Sequence, residues 1–163
     1  MMSSEQKVKS ARLRRRRGYN WEDLLVKRFN CMDGWRAFRL GSPSVALPDV
    51  LAVNNDQRSV LVIEAKSGAN TSLMVPATQI TRCRDWCDIL GVYENRQVIL
   101  AFKFLSKKRI GTDKYQSRTL HEYYKIWDPA VEPKDCVCLY DGHTYTLTNK
   151  VRIDMPLKDY AFN

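Results

Sequence analysis

The 163 residues are 44% hydrophobic, enough for one cored domain, and no apolar run reaches the length of a membrane-spanning helix. The net charge is +9, unevenly spread along the chain, and favours an anionic partner. The N-terminus lacks the apolar segment of a signal peptide, so the expectation is a soluble intracellular protein, cytoplasmic or nucleoid-associated in a prokaryote.

Residues 1–17 are expected to form a flexible basic arm. Lys7, Lys9, Arg12, Arg14, Arg15, Arg16 and Arg17 stand against Glu5 alone and supply six of the nine net charges. Such an arm suits a polyanion, most simply nucleic acid, with a solvated tail or an acidic membrane as the alternatives. Gly18 to Cys31 then reads as a helix with Asn20 as N-cap. Trp21, Leu24, Leu25 and Phe29 form its apolar stripe. Glu22 shares a side with Val26 and Phe29, so it borders the buried face, although an ordinary exposed acid fits the spacing as well.

Trp35 to Leu40 reads as a short strand and Gly41 to Ser44 as loop. Val50 to Val53, just after Pro48, is a second strand. Asn54 to Arg58 is a turn cluster and Ser59 to Lys66 a third strand, giving an antiparallel meander. Ser67 to Ser72 reads as a polar loop. A helix follows, with Pro76 in its first turn, Gly91 as its stop, and Ile80, Cys83, Trp86, Cys87 and Leu90 on its apolar stripe. Gln79 lies on that stripe and, if buried, needs partners. Residues 96–105 are a fourth strand, 106–119 a basic polar loop and His121 to Trp127 a further strand. Cys136–Tyr140 and Thr144–Leu147 are a hairpin about Asp141-Gly142.

The five cysteines (Cys31, Cys83, Cys87, Cys136, Cys138) are an odd number and read as free thiols, Cys83 and Cys87 as core filler. Cys136, Cys138 and His143 lack the four-ligand spacing of a closed zinc site. His121 and His143 carry no assignable role.

Strand alternation puts Glu64 and Lys66 on one face and Leu61, Ile63 and Ala65 on the other. A turn at 54–58 pairs Val53 with Ser59 or Val60 and brings Asp49 near residues 63–64. Two acids so placed repel unless a cation sits between them, which Mg²⁺ can do through carboxylate oxygens. Lys66 beside them can stabilise charge on a phosphate under attack. The plainer alternative is an ordinary ion pair of Lys66 with Asp49 or Glu64.

Pro48-Asp49 followed by Glu64-Ala65-Lys66 resembles the signature of the PD-(D/E)xK nucleases. The finer resemblance is to archaeal Holliday junction resolvases. They have a basic residue and glycine followed by a helix glutamate, as in Arg17, Gly18 and Glu22. An arginine precedes a Gly/Ser loop before the PD, as in Arg39, Gly41, Ser42 and Asp49, and a glutamine opens the next helix, as in Gln79. The resemblance covers about residues 16–105. The sequence departs from it at Asp23, where the family is usually basic, and in a short, lysine-free loop 42–48. It says nothing of 106–163.

The resemblance implies an α/β fold, a restriction-endonuclease-like core with a central mixed β-sheet flanked by helices, to which the strand-like segments beyond it add a C-terminal β-rich extension. On this reading 1–17 are the arm, 18–105 the nuclease core and 106–163 an extension packed on it. It implies a Mg²⁺-dependent endonuclease, with Mn²⁺ as a substitute, that nicks paired strands of four-way DNA junctions as a homodimer in recombination and repair. Asp49, Glu64 and Glu22 would hold the metal, Lys66 would act on the phosphate or attacking water, and Ser42 and Gln79 would position the strand. Arg14, Arg15, Arg16, Arg17, Arg39, Lys107, Lys108 and Arg109 would bind DNA. A replication or repair protein is a further partner and no membrane is expected. The alternatives are a related nuclease of duplex, flap or damaged DNA, or a non-catalytic DNA-binding module.

Overall fold

A computed structural model describes residues 3–40 and 46–162. Its first element is one long helix, α1 (Ser4–Asn30). The expected flexible arm is therefore, from residue 4, the front half of this helix, and the helix does not wait for Asn20 to begin. Two local forces explain the correction. Ser3 and Gln6 form a reciprocal capping box, and the lysines, arginines, glutamine and leucine of 4–17 are strong helix formers despite their charge. Only the rear half buries a stripe, through Trp21, Leu25 and Phe29.

The strands follow as β1 (Trp35–Arg39), β2 (Val50–Asn54), β3 (Ser59–Gly68) and β4 (Ser72–Val75). After α2 (Ala77–Ile89) come β5 (Asn95–Phe104), β6 (Lys107–Gly111), β7 (Lys114–Ser117) and β8 (His121–Ile126). The chain closes with β9 (Cys136–Leu139), β10 (Thr144–Thr148), β11 (Val151–Asp154) and β12 (Lys158–Asp159). The expected loop at 67–72 shrinks because β3 continues to Gly68 and β4 starts at Ser72. The expected loop at 106–119 is the β6–β7 hairpin. The hairpin was hidden because its residues are polar and almost all exposed, without the apolar alternation that marks a half-buried strand, whereas β4 does alternate but is only four residues long.

The central sheet has the order β1-β2-β3-β5-β8-β12 and is mixed: β3 and β5 run parallel and the other pairs antiparallel. Residues 106–163 are thus not a separate layer, since β8 and β12 complete this sheet and β9 pairs with β4 in a second one, β11-β10-β9-β4. α1 covers one face of the central sheet over Leu61, Ile63, Ile99 and Ala101. α2 and the second sheet cover the other, with Cys136 and Cys138 of β9 packed in one core with Val62, Leu100 and Phe102. Trp21 Nε1 donates to Ala101 O (3.1 Å), pinning α1 to the sheet where Glu22 follows. On the same face Phe162 packs on Phe29 (ring centroids 5.3 Å) and Tyr124 (4.6 Å). Gly142 turns the β9–β10 hairpin at φ +90° with Tyr123 directly over it.

Candidate active site

The site is built at one end of the β2–β3 hairpin. Val53 pairs with Val60 and Val50 with Ile63. Asp49, one residue before β2, therefore lies alongside Glu64. Its backbone still accepts from Leu40 N–H (3.0 Å), and its Oδ2 accepts from Ala65 N–H (2.8 Å). The side chain is thus fixed by the strand that carries the other acid. In β3, Glu64 turns to the α2 face and is 1% exposed.

A carboxylate so buried needs counter-charge. Arg82 Nη2 lies 2.9 Å from Glu64 Oε2 and Lys66 Nζ 3.4 Å from Oε1. Even so the Glu64 carboxyl is pushed up to about 7, first by burial and then by the charge of Asp49, with Lys66 and Arg82 pulling the other way. Cys83 lies below with Sγ 3.9 Å from Glu64 Oε2. Burial raises this thiol well above its ordinary range, so it stays a neutral donor.

Glu22 enters from α1. Its carboxyl is also raised to about 7, by burial and by Asp49, against the lowering pull of Arg39. Asp49 is the strongest acidic neighbour of both glutamates. Arg39 lies 3.7 Å from Glu22 and 3.3 Å from Asp23, with its guanidinium 4.8 Å from the Tyr19 ring centre. Asp23 thus holds Arg39.

The structure brings Glu22, Asp49, Glu64 and Lys66 into one electrostatic neighbourhood. Gln79 stands on the first turn of α2, half-buried, with a buried Oε1 that accepts no hydrogen bond among the described residues. Ser42 lies outside the described residues. Arg14, Arg15, Arg16 and Arg17 line up on the front half of α1, while Lys107, Lys108 and Arg109 form β6. Arg82 was missed from sequence. The available signal was its place three residues after Gln79 and one before the stripe residue Cys83. Trp86 was read only as core, yet its Nε1 also donates to Ala46 O (2.9 Å), tying the segment before Pro48 to α2.

Among the described residues no three His, Cys, Asp or Glu side chains form a ready-made metal cluster. The donor set still fits a hard divalent cation. Mg²⁺ needs one or two carboxylates with water and substrate phosphate supplying the rest. Two glutamates driven to about 7 partly by the charge of a shared aspartate are a site short of positive charge. The ion would be held by Asp49 and Glu64, with Glu22 at its border.

The family model described as archaeal Holliday junction resolvase (hjc) matches residues 13–91. Among solved structures, Hjc of Archaeoglobus fulgidus, a Holliday junction resolvase from an archaeal hyperthermophile, is similar at 18% identity. The match covers 66% of this chain and 72% of that chain, with a TM-score of 0.44. Among curated protein sequences none matches. The segment matched by that family model, residues 13–91, carries Glu22, Arg39, Asp49, Glu64, Lys66, Gln79 and Arg82, and is similar there to the archaeal Holliday junction resolvases.

Proposed function

We propose that this protein is an endonuclease that acts as a homodimer, nicking paired strands of a four-way DNA junction by Mg²⁺-dependent hydrolysis. The observation that carries the chemistry is the β2–β3 register, with Val50 opposite Ile63 and Asp49 Oδ2 bonded to Ala65 N–H. It sets two acids and Lys66 at one strand end. A bound Mg²⁺ would polarise the scissile phosphate and lower the pKa of a water. Asp49 is pre-positioned by the β3 backbone, so no side-chain ordering is needed when the substrate arrives. Lys66, about a quarter exposed, reaches from Glu64 toward solvent, where it can orient the attacking water and offset charge building on the phosphate. Arg82 keeps the opposite oxygen of Glu64 fixed on the α2 side. Glu22, with its carboxyl near 7, can take up and return a proton at neutral pH. The homodimer matches a substrate with two-fold symmetry, for which a C₂ pair is the commonest solution. DNA is held through phosphates and shape rather than base edges.

The test is incubation with Mg²⁺ and a synthetic four-way junction beside a linear duplex of the same sequence. Paired nicks in the junction alone are expected, lost in Asp49→Ala and Glu64→Ala while junction binding persists. Equal cutting of the duplex would turn the reading to a general duplex nuclease. Near wild-type cutting by either variant would remove the proposed centre.

A further inference from the structure

Beyond the reacting residues, the front half of α1 and the β6–β7 hairpin enclose a cleft of about 250 Å³ whose floor is the end of β3 and the turn after it, Ser67 to Asn70. On α1, Arg14, Arg17 and Trp21 are spaced three and four apart, so the cleft continues the line of the helix stripe that meets the sheet. Arg109 closes it from the hairpin, with Tyr115, its partner across the strands, beside it. Among the described residues neither Arg14, Arg17 nor Arg109 is ion-paired with a carboxylate, and Asp113 is the only acid lining the cleft.

The walls are fixed rather than loose. Arg109 N–H donates to Ala69 O (2.8 Å). Arg118 donates to Leu105 O (2.8 Å) and Asn70 O (3.0 Å), fastening the base of the hairpin to the floor. At Gly68 a Cβ would meet Leu73 Cδ2 at 2.9 Å. The floor also belongs to the strand that carries Glu64 and Lys66. Four residues of extended strand span about 13 Å, close to four phosphates of a duplex strand at about 3.4 Å of axis each.

We propose that this cleft is a phosphate-binding slot for the DNA strand being cut, gripping it two to four nucleotides from the scissile bond. The hairpin lies beyond residues 13–91, so the slot adds a contact to the matched nuclease segment. The proposal rests on the chain cutting DNA at Asp49 and Glu64, but the slot can be tested by binding alone. Three arginines in a fixed cleft suit phosphodiester oxygens, and Tyr115, 43% exposed, can stack on a base at its mouth.

The experiment measures binding of a four-way junction and of linear duplex against NaCl concentration in EDTA. It compares the full chain with Arg109→Glu, Asp113→Asn and Lys134→Glu, the last a charge reversal on an exposed residue outside the cleft. Arg109→Glu should weaken binding about tenfold or more and lower the salt slope by about one. Asp113→Asn should tighten it, and Lys134→Glu should change it little. Single methylphosphonates placed along the cut strand should then weaken the full chain at positions two to four from the nick and leave Arg109→Glu indifferent there. Equal effects of Arg109→Glu and Lys134→Glu, or an unchanged slope, would overturn the slot. A chain that binds and cuts duplex as well as junction would overturn the resolvase reading while leaving the Arg109→Glu comparison valid.

Discussion

Glu64→Gln should change how stability depends on pH. The Glu64 carboxyl sits near 7 in the folded protein against an ordinary 4.5. The folded state therefore binds more protons than the unfolded state between those values. Its contribution to stability is full below pH 4.5 and is lost as pH rises to about 7. At ~1.36 kcal/mol per pH unit the loss is about 3 kcal/mol. Glu22 adds a loss of the same sign, and the two share the field of Asp49, so the parts do not simply add. Glutamine keeps the shape of the side chain and removes its titration, so about half of the wild-type pH dependence should vanish. At pH 5 the wild-type carboxyl is itself neutral, so the variant should start close to it, and the change with pH is the diagnostic. Urea unfolding in EDTA at pH 5, 6, 7 and 8 reads this directly. With an m-value of ~2 kcal/mol/M, 3 kcal/mol moves the midpoint by about 1.5 M. Added Mg²⁺ should restore wild-type stability at pH 8 and do less for the variant. Wild-type and variant midpoints that run parallel from pH 5 to 8 would refute the reasoning, since the strain would not reside in Glu64.

Trp21→Phe removes the buried donor to Ala101 O and some ring volume, and should cost about 2 kcal/mol in urea unfolding. Gly142→Ala would place a Cβ 2.6 Å from Tyr123 Cε1 at φ +90°. It should lower stability by about 2 kcal/mol or more, seen as a fall in Tm. Gly18→Ala meets nothing within 4 Å inside α1 and should raise stability by up to about 1 kcal/mol in the same assay.

The β2–β3 hairpin was legible because its residues obey one rule throughout. Two short unbroken apolar runs, Val50 to Val53 and Val60 to Ile63, flank a turn cluster at 54–58, and the register that follows sets Asp49 beside Glu64 and Ala65. The stripe of Trp21, Leu25 and Phe29 was legible for the same reason at helical period. The front of α1 was not, because charge density suggested disorder while helix propensity and a cap at Ser3 decided otherwise. β6 and β7 have no buried face to betray them. Arg82 escaped notice because its role depends on which helix face meets β3, a tertiary fact. The closing of the central sheet by β12 was hidden because two residues of pairing leave no periodic signal.

Tyr160 and Phe162 pack with tilted rings against Phe29, and β12 pairs with β8, so the apolar layer beneath α1 is sealed by residues more than 120 positions downstream of that helix. During synthesis α1 emerges ahead of the strands it packs on, with Trp21, Leu25 and Phe29 uncovered. These cannot be fully covered until residue 162 has left the ribosome. Contacts of such long sequence separation make folding slow and late. Glu22, carried on that helix, then reaches its final place only after translation has passed the whole β-rich segment. The hairpin that sets Asp49 beside Glu64 is local and can form early, so Glu22 is the part of the acidic group fixed last.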